Sequence, residues 1–332
     1  MKELVISPKE AGQRLDKYLK KYLNEAPASF IYKMLRKKNI TRNGVRADGS
    51  EIIEKDDVIR LFLADETISK FQKEVTIRPL KTVNNTVKPD ILYEDEDILL
   101  VNKPVGILSQ KAKPQDISMN EILLDYLMNT GMSDTKEGAI TKPSVCNRLD
   151  RNTSGILTFG KTLRGTQMLS RGLKMRTMDK YYVCVVSGVI KDRQCVDGYL
   201  IKDTKSNKVV VKKEHFSNDA ERIVTEYMPI SDNGTLTFLK IKLHTGKTHQ
   251  IRAHLASVGH PLIGDYKYGN NKLNDRIKKQ YKIESQMLHA FELYIPEMDL
   301  RTFAPIPLKM QQFLKGEQLW EPGNQEDLEA LH

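Results

Sequence analysis

The stretch Cys146-Asn147-Arg148-Leu149-Asp150-Arg151-Asn152-Thr153-Ser154-Gly155-Ile156-Leu157-Thr158-Phe159-Gly160 constrains this chain more than any other. The apolar run Ile156 to Phe159 has the length and residue types of a buried strand. The Asn/Thr/Ser/Gly cluster before it has the composition of the loop that feeds that strand. One carboxylate, Asp150, stands in the loop between two arginines. Positive charge beside a carboxyl favours its ionised form. A charged carboxylate on a loop is a candidate nucleophile. A surface Asp paired with a neighbouring Arg, stabilising a turn, accounts for the same residues.

At 332 residues the chain has room for about two domains. It contains no apolar run of about 18 residues, so no membrane span is expected. Its first residues, Met1 to Pro8, lack the apolar core of a signal peptide. Cys146, Cys184 and Cys195 fit no zinc spacing and are expected to be reduced thiols in or near the core of a cytoplasmic protein. A formal charge of +10 favours a polyanionic partner.

The first 64 residues read as a separate unit. Leu15, Tyr18, Leu19 and Tyr22 recur at helical spacing. Ser29 is a candidate N-cap for a second helix with Ile31, Met34 and Leu35 inside, and Arg36, Lys37 and Lys38 suit its C-terminal dipole. Ile40 to Val45 predicts two strands joined by an Asn43-Gly44 turn, and Asp56 to Leu63 a closing strand. Residues 65–88 lack periodicity and read as a linker, which would let the front unit grip a ligand away from the second one. A second domain is expected over residues 89–315. Its strands are predicted at about 98–101, 156–159, 181–186, 222–227, 236–243 and 288–294, and its helices at about 118–128, 163–172 and 249–257. This mixture gives an α+β fold around an antiparallel or mixed sheet. The acidic tail, residues 316–332, is expected to be loose.

Arg148-Leu149-Asp150 followed by Thr153-Ser154-Gly155 resembles the signature of the RluA family of RNA pseudouridine synthases, which modify ribosomal and some transfer RNA. Ile98 to Val101 followed by Asn102-Lys103-Pro104-Val105-Gly106 is similar to that family's opening strand and Lys-Pro-x-Gly turn. Gly246-Lys247-Thr248-His249-Gln250-Ile251-Arg252 is similar to its Gly-Arg-Thr-His-Gln-Ile-Arg motif, and Gly259 to Asp265 with Tyr268-Gly269 continues it. The motifs stand in the family's order over about residues 89–310. About residues 12–63 resemble the S4 RNA-binding domain, whose basic face would come from Lys33, Arg36, Lys37, Lys38, Arg42 and Arg46. An ordinary solvated helix face has the same charges.

The resemblance implies an isomerase that detaches uracil from ribose C1′, turns it and rejoins it through C5, with no metal, ATP or redox cofactor. The target must leave its base stack first. Asp150 takes the place of the family's essential aspartate, acting at C1′ or on a 2′ proton. Arg252, near the start of a helix that Thr248 is expected to cap, takes the place of the cation paired with it. Tyr182 fits the family's Lys-x-Tyr and would stack on the base; Tyr181, one residue away on the same strand, would face the other side. Arg148 would fill the gap left by the base or contact phosphate. Asn147 departs from the family's frequent His and loses the imidazole's titration. His249, His254 and His260 do not form a metal set. The expected substrate is 23S ribosomal RNA or a large-subunit assembly intermediate, and the expected state a monomer. A transfer-RNA enzyme and a catalytically silent RNA-binding or ribosome-assembly factor are the alternatives. A DNA-binding regulator lacks its helix-turn-helix.

Overall fold

A computed structural model describes residues 1–8, 10–72, 88–130, 143–203, 208–320 and 328–329. The front unit runs β1 Lys2–Val5, α1 Leu15–Tyr22, α2 Ala28–Arg36, β2 Ile40–Arg42, β3 Val45–Arg46, β4 Val58–Leu61 and α3 Asp65–Phe71. Its antiparallel sheet has the order β1-β4-β2-β3. The periodic residues Leu15, Tyr18, Leu19, Ile31 and Leu35 bury against Ile40, Ile59 and Leu61. Asn43 and Gly44, both at positive φ, make the tight turn. Two expectations change. Pro27, not Ser29, precedes the first turn of α2, its fixed backbone setting the entry. Residues 65–71 are helix rather than linker: Ile68 is buried in the front core and the Phe71 ring lies 4.6 Å from that of Phe30. The remainder of the expected linker, residues 73–87, lies outside the described residues.

The second unit holds β5 Asp90–Glu94, β6 Ile98–Lys103, α4 Met119–Asn129, β7 Ser144–Val145, β8 Ser154–Gly160, α5 Leu163–Met175, β9 Asp179–Ser187, β10 Gln194–Asp203, β11 Lys208–Lys212, β12 Glu221–Asp232, β13 Leu236–Leu243, α6 Gln250–Ser257, α7 Asn271–Tyr281, β14 Leu288–Ile295, β15 Leu300–Phe303 and α8 Leu308–Gly316. Its mixed sheet has the order β11-β10-β12-β13-β9-β14-β8-β6-β5, with β15 on β14 and β7 on β8. Among the described pairs only β14 with β8 is parallel. That pairing is the seam of the sheet. Gly155, Ala290, Tyr182 and Ile241 lie in register across β8, β14, β9 and β13. Gly155 is required there: its φ is +107°, and a Cβ would stand 2.1 Å from the carbonyl oxygen of Ala290. Beside it, Ser154 Oγ meets buried His289 Nδ1 at 2.8 Å, while His289 Nε2 reaches the carbonyl of Ala304 at 3.2 Å.

The tail is not loose where it is described. Leu319, Trp320 and Leu328 are buried with Phe238, Phe291 and Phe313, and Lys240 Nζ donates to the carbonyl of Leu328 at 2.8 Å. Cys184 is buried and Cys146 half-buried, but Cys195 is exposed, against expectation. No helix among the described residues is long and apolar enough to cross a membrane.

Candidate active site

Asp150 sits in the loop entering β8, and each residue near it is tied down. Asn147 Oδ1 accepts from the Thr158 backbone N–H at 2.8 Å and from its hydroxyl at 3.1 Å, which pins the loop to β8. This is what Asn supplies at the position where an imidazole was expected. Both backbone groups of Leu149 bond Ser109 Oγ at 3.0 Å. The Arg151 carbonyl accepts from Gly106 N at 2.9 Å and from Lys103 Nζ at 3.0 Å. Lys103 is fully buried and spends its other two donors on the carbonyls of Pro104 and Ile107. Burial pushes its ammonium down to about 7 against the opposing pull of Asp150. The Lys-Pro-Val-Gly turn is therefore a bracket under the Asp150 loop.

The cation that reaches Asp150 is not one of its sequence neighbours. Arg148 and Arg151 are exposed. Arg252, on the first turns of α6, donates from Nη1 to Asp150 Oδ2 at 2.8 Å. The Arg252 side chain is 9% exposed and that of Asp150 26%, so the guanidinium is buried while the carboxylate keeps a side open to solvent. Arg252 also binds Asp265 through both ends of a fork, Nε to Oδ2 at 2.7 Å and Nη2 to Oδ1 at 3.0 Å. Burial lowers the guanidinium's pKa, but the two carboxylates outweigh it and leave Arg252 above its ordinary value. Burial likewise pushes Asp265 up, and the bonds from Arg252 and the Lys267 and Tyr268 N–H groups bring it below the usual carboxylate range.

His249, not Thr248, precedes α6, in the left-handed region at φ 55° and without a side-chain cap. Gln250 does the local work instead, its Oε1 accepting from the Lys247 N–H at 3.1 Å and the Thr245 hydroxyl at 2.8 Å. His249 Nδ1 lies 2.9 Å from the Tyr268 hydroxyl, which accepts the Val209 N–H at 3.0 Å, and His249 Nε2 lies 3.8 Å from Asp150 Oδ2. Burial pushes the imidazole's pKa down more than Asp150 raises it, so it is held neutral. The Tyr268 ring centroid is 5.3 Å from the guanidinium carbon of Arg252.

Tyr182 faces the same interior as Leu149, Ile251 and Leu255. Its phenol is pushed up by burial and then by the negative charge of Asp150, so it is a neutral hydroxyl within electrostatic reach of that carboxylate. Tyr181 points the other way, its ring centroid 4.8 Å from Lys240 Nζ and 5.3 Å from Lys242 Nζ. Three chain-distant residues, Asp150, Tyr182 and Arg252, thus converge. The sequence reasoning missed the roles of Lys103, His249, Asp265 and Tyr268, although all four stand inside the motifs it quotes.

In the front unit Lys33, Arg36, Lys37, Lys38 and Arg46 are exposed. Arg42 is committed instead: its Nε donates to Asp57 Oδ2 at 2.7 Å. The Asp57 carboxylate also takes Asn43 Nδ2 at 2.6 Å, so this arginine buttresses the hairpin. Among the described residues no three His, Cys, Asp or Glu side chains gather as a metal site.

The mixed sheet thus carries, in the loop that enters its parallel seam, an aspartate bonded to a buried arginine. Residues 97–257 match the family model for RNA pseudouridylate synthase. The chain is 30% identical over 263 residues to an uncharacterized RNA pseudouridine synthase of Aquifex aeolicus, covering 77% of each protein. It is 29% identical over 323 residues to the ribosomal large subunit pseudouridine synthase C of Pasteurella multocida, covering 95% of this chain and 93% of that one. The fold is also that of human RNA pseudouridylate synthase domain containing 4, with a TM-score of 0.57 at 22% identity over 70% of this chain and 94% of the other. The chain belongs to the RNA pseudouridine synthase family and is an enzyme that isomerises uridine in RNA.

Proposed function

We propose that this enzyme modifies uridines of 23S ribosomal RNA in the cytoplasm, with Asp150 as the reacting carboxylate. The observation that carries the assignment is the Asp150–Arg252 pair, a buried cation holding a partly exposed carboxylate at 2.8 Å from below. Asp150 acts on the ribose, at C1′ or on the 2′ proton, after the nucleotide has left its stack. Tyr182 lies under the detached uracil as a stacking surface. Over the whole isomerisation C5 loses a proton and N1 gains one, so atoms balance without a second substrate. Arg148, exposed beside the loop, contacts the RNA left behind. The ribosomal substrate is supported by the large-subunit enzyme of Pasteurella multocida, which aligns over nearly the full length of both chains. The front unit, here extended to residue 72, serves as an S4-like phosphate grip through Lys33, Arg36, Lys37, Lys38 and Arg46.

The test is a pseudouridine map of 23S and transfer RNA in cells lacking the gene and in cells carrying wild type or Asp150→Ala. Loss at discrete 23S sites, restored by wild type alone, is the expected result. Loss confined to transfer RNA overturns the substrate, and full restoration by Asp150→Ala overturns the assignment of the carboxylate.

A further inference from the structure

The cluster around Asp150 contains a second carboxylate that the proposed chemistry does not use. Asp265 lies in the loop after α6, its side chain fully buried. A group that costly to bury ionised is kept only with full compensation, and Asp265 has four donors. Arg252 gives two, from Nε and Nη2, and the backbone N–H groups of Lys267 and Tyr268 give two more at 2.9 and 3.2 Å. The loop is itself held, since Asn274 Nδ2 donates to the Asp265 carbonyl at 3.1 Å while its Oδ1 accepts from Gly264 N at 2.8 Å. Asp265 is therefore fixed to backbone independently of its bonds to Arg252.

Two consequences follow for Arg252. A guanidinium is a rigid planar fork, so engaging one edge fixes where its remaining nitrogen points. With Nε and Nη2 taken by Asp265, Nη1 is aimed at Asp150 whether or not Asp150 is free to answer. The second consequence is charge. One cation stands between two anions, so its field at Asp150 is partly cancelled by Asp265. A lone buried guanidinium would hold the Asp150 carboxylate more tightly and make it a weaker nucleophile or base.

We propose that Asp265 is a positioning residue for the reaction: it aims Arg252 at Asp150 and offsets Arg252's charge, so that the reacting carboxylate is oriented without being quenched. This rests on Asp150 being the reacting group. The other charged or titratable groups around Asp150 are Lys103 from β6, Tyr182 from β9, His249 before α6, and Lys267 and Tyr268 from the loop that carries Asp265. None of them is bonded to both edges of the Arg252 fork.

The experiment measures release of tritium from C5 of labelled uridine in a 23S transcript, with full-length enzyme under single-turnover conditions. Asp265→Asn is expected to lower the maximal rate about 100-fold, the scale for a misplaced catalytic group, with RNA affinity near wild type. In an Arg252→Met background the same substitution adds little further loss. Asp265→Glu keeps the charge and alters the reach, so its rate falls with RNA affinity near wild type; it carries the test where the Asn variant fails to fold. Losses that add in the double variant, a loss in Asp265→Asn that lies in RNA affinity rather than in the maximal rate, or an undiminished rate in Asp265→Glu would each overturn the proposal. Asp150→Ala is run beside them, and activity there refutes the role of Asp150 whichever way Asp265 behaves.

Discussion

Replacing Arg252 by Met strands a buried anion, Asp265. In the wild type Asp265 sits below the usual carboxylate range, with burial opposed by Arg252 and two backbone N–H groups. Its contribution to stability is present above the unfolded carboxyl range, about 4, and is lost as pH falls through the lower folded value. Without Arg252 the burial penalty remains and only the two N–H groups oppose it. Breaking a buried ion pair from one side costs about 3–5 kcal/mol, and the surviving N–H bonds place this one near the lower figure, about 3 kcal/mol at pH 7. The sign of the pH dependence then reverses. The folded variant binds a proton more readily than its unfolded chain, so its stability falls as pH rises above about 4, at about 1.4 kcal/mol per unit. The gap between wild type and variant thus opens over about two pH units and is flat above them. Urea unfolding followed by the fluorescence of Trp320, the chain's single tryptophan and a buried one, reads this directly. Adding Asp265→Asn should recover about 2 kcal/mol at pH 7 and flatten the profile, since no charge is left stranded. A gap between wild type and Arg252→Met of equal size at pH 4.5 and pH 7.5 refutes the reasoning.

Further outcomes are expected elsewhere. Gly155→Ala forces a Cβ against the Ala290 backbone at a positive φ, so it should cost more than about 3 kcal/mol or abolish soluble expression; a urea midpoint near wild type would show that the seam can open. Tyr182→Phe should retain activity within about tenfold if the ring does the stacking, and a tritium-release rate at the level of Asp150→Ala would assign the chemistry to the hydroxyl. Changing Lys33, Arg36, Lys37 and Lys38 together to Gln should reduce the slope of log affinity against log salt by up to about 3, measured by filter binding to structured RNA; an unchanged slope removes the phosphate grip from that face. Ending the chain after Gly316 removes buried Leu319, Trp320 and Leu328 and should cost at least about 3 kcal/mol in thermal or urea unfolding, where a loose tail would cost nothing.

Periodicity located most of the long elements because it reports burial on one face. The helices 15–22 and 163–175 and the strands through 156–159 and 236–243 stand where their apolar spacing puts them. The elements it missed carry weaker patterns. Strand β1 is mostly exposed and exists because it pairs with β4 from Lys2–Leu61 to Val5–Val58, a partner more than fifty residues away. Helix α3 has one buried residue, Ile68, and the stripe of α7 is only three residues, Leu273, Ile277 and Tyr281, among lysines and polar side chains. The tail was misjudged for a related reason. Its acidic residues dominate the composition, while three apolar side chains, spaced too irregularly to form a stripe, close the end of the core.

The site divides along the same physical line. The residues the proposed chemistry uses, Asp150, Tyr182 and Arg252, can each be matched to a motif one at a time. The resemblance pairs Arg252 with Asp150 across 102 positions; what the sequence does not display is that Asp265 takes two of that arginine's donors. Without the resemblance, the loop residues alone pair Asp150 with its adjacent arginines, because proximity in the chain is all they show. Those two side chains point to solvent, where a flexible cation beside a carboxylate is worth little. A buried guanidinium costs far more to place, and for that reason it is held on both edges. The pairing that matters for a reacting carboxylate is the one the fold must compensate, and its trace in the sequence is a second acidic residue in an otherwise apolar turn, Asp265 after Leu262-Ile263-Gly264. An unexplained buried acid close in sequence to an arginine of the site is the signal that would have found it.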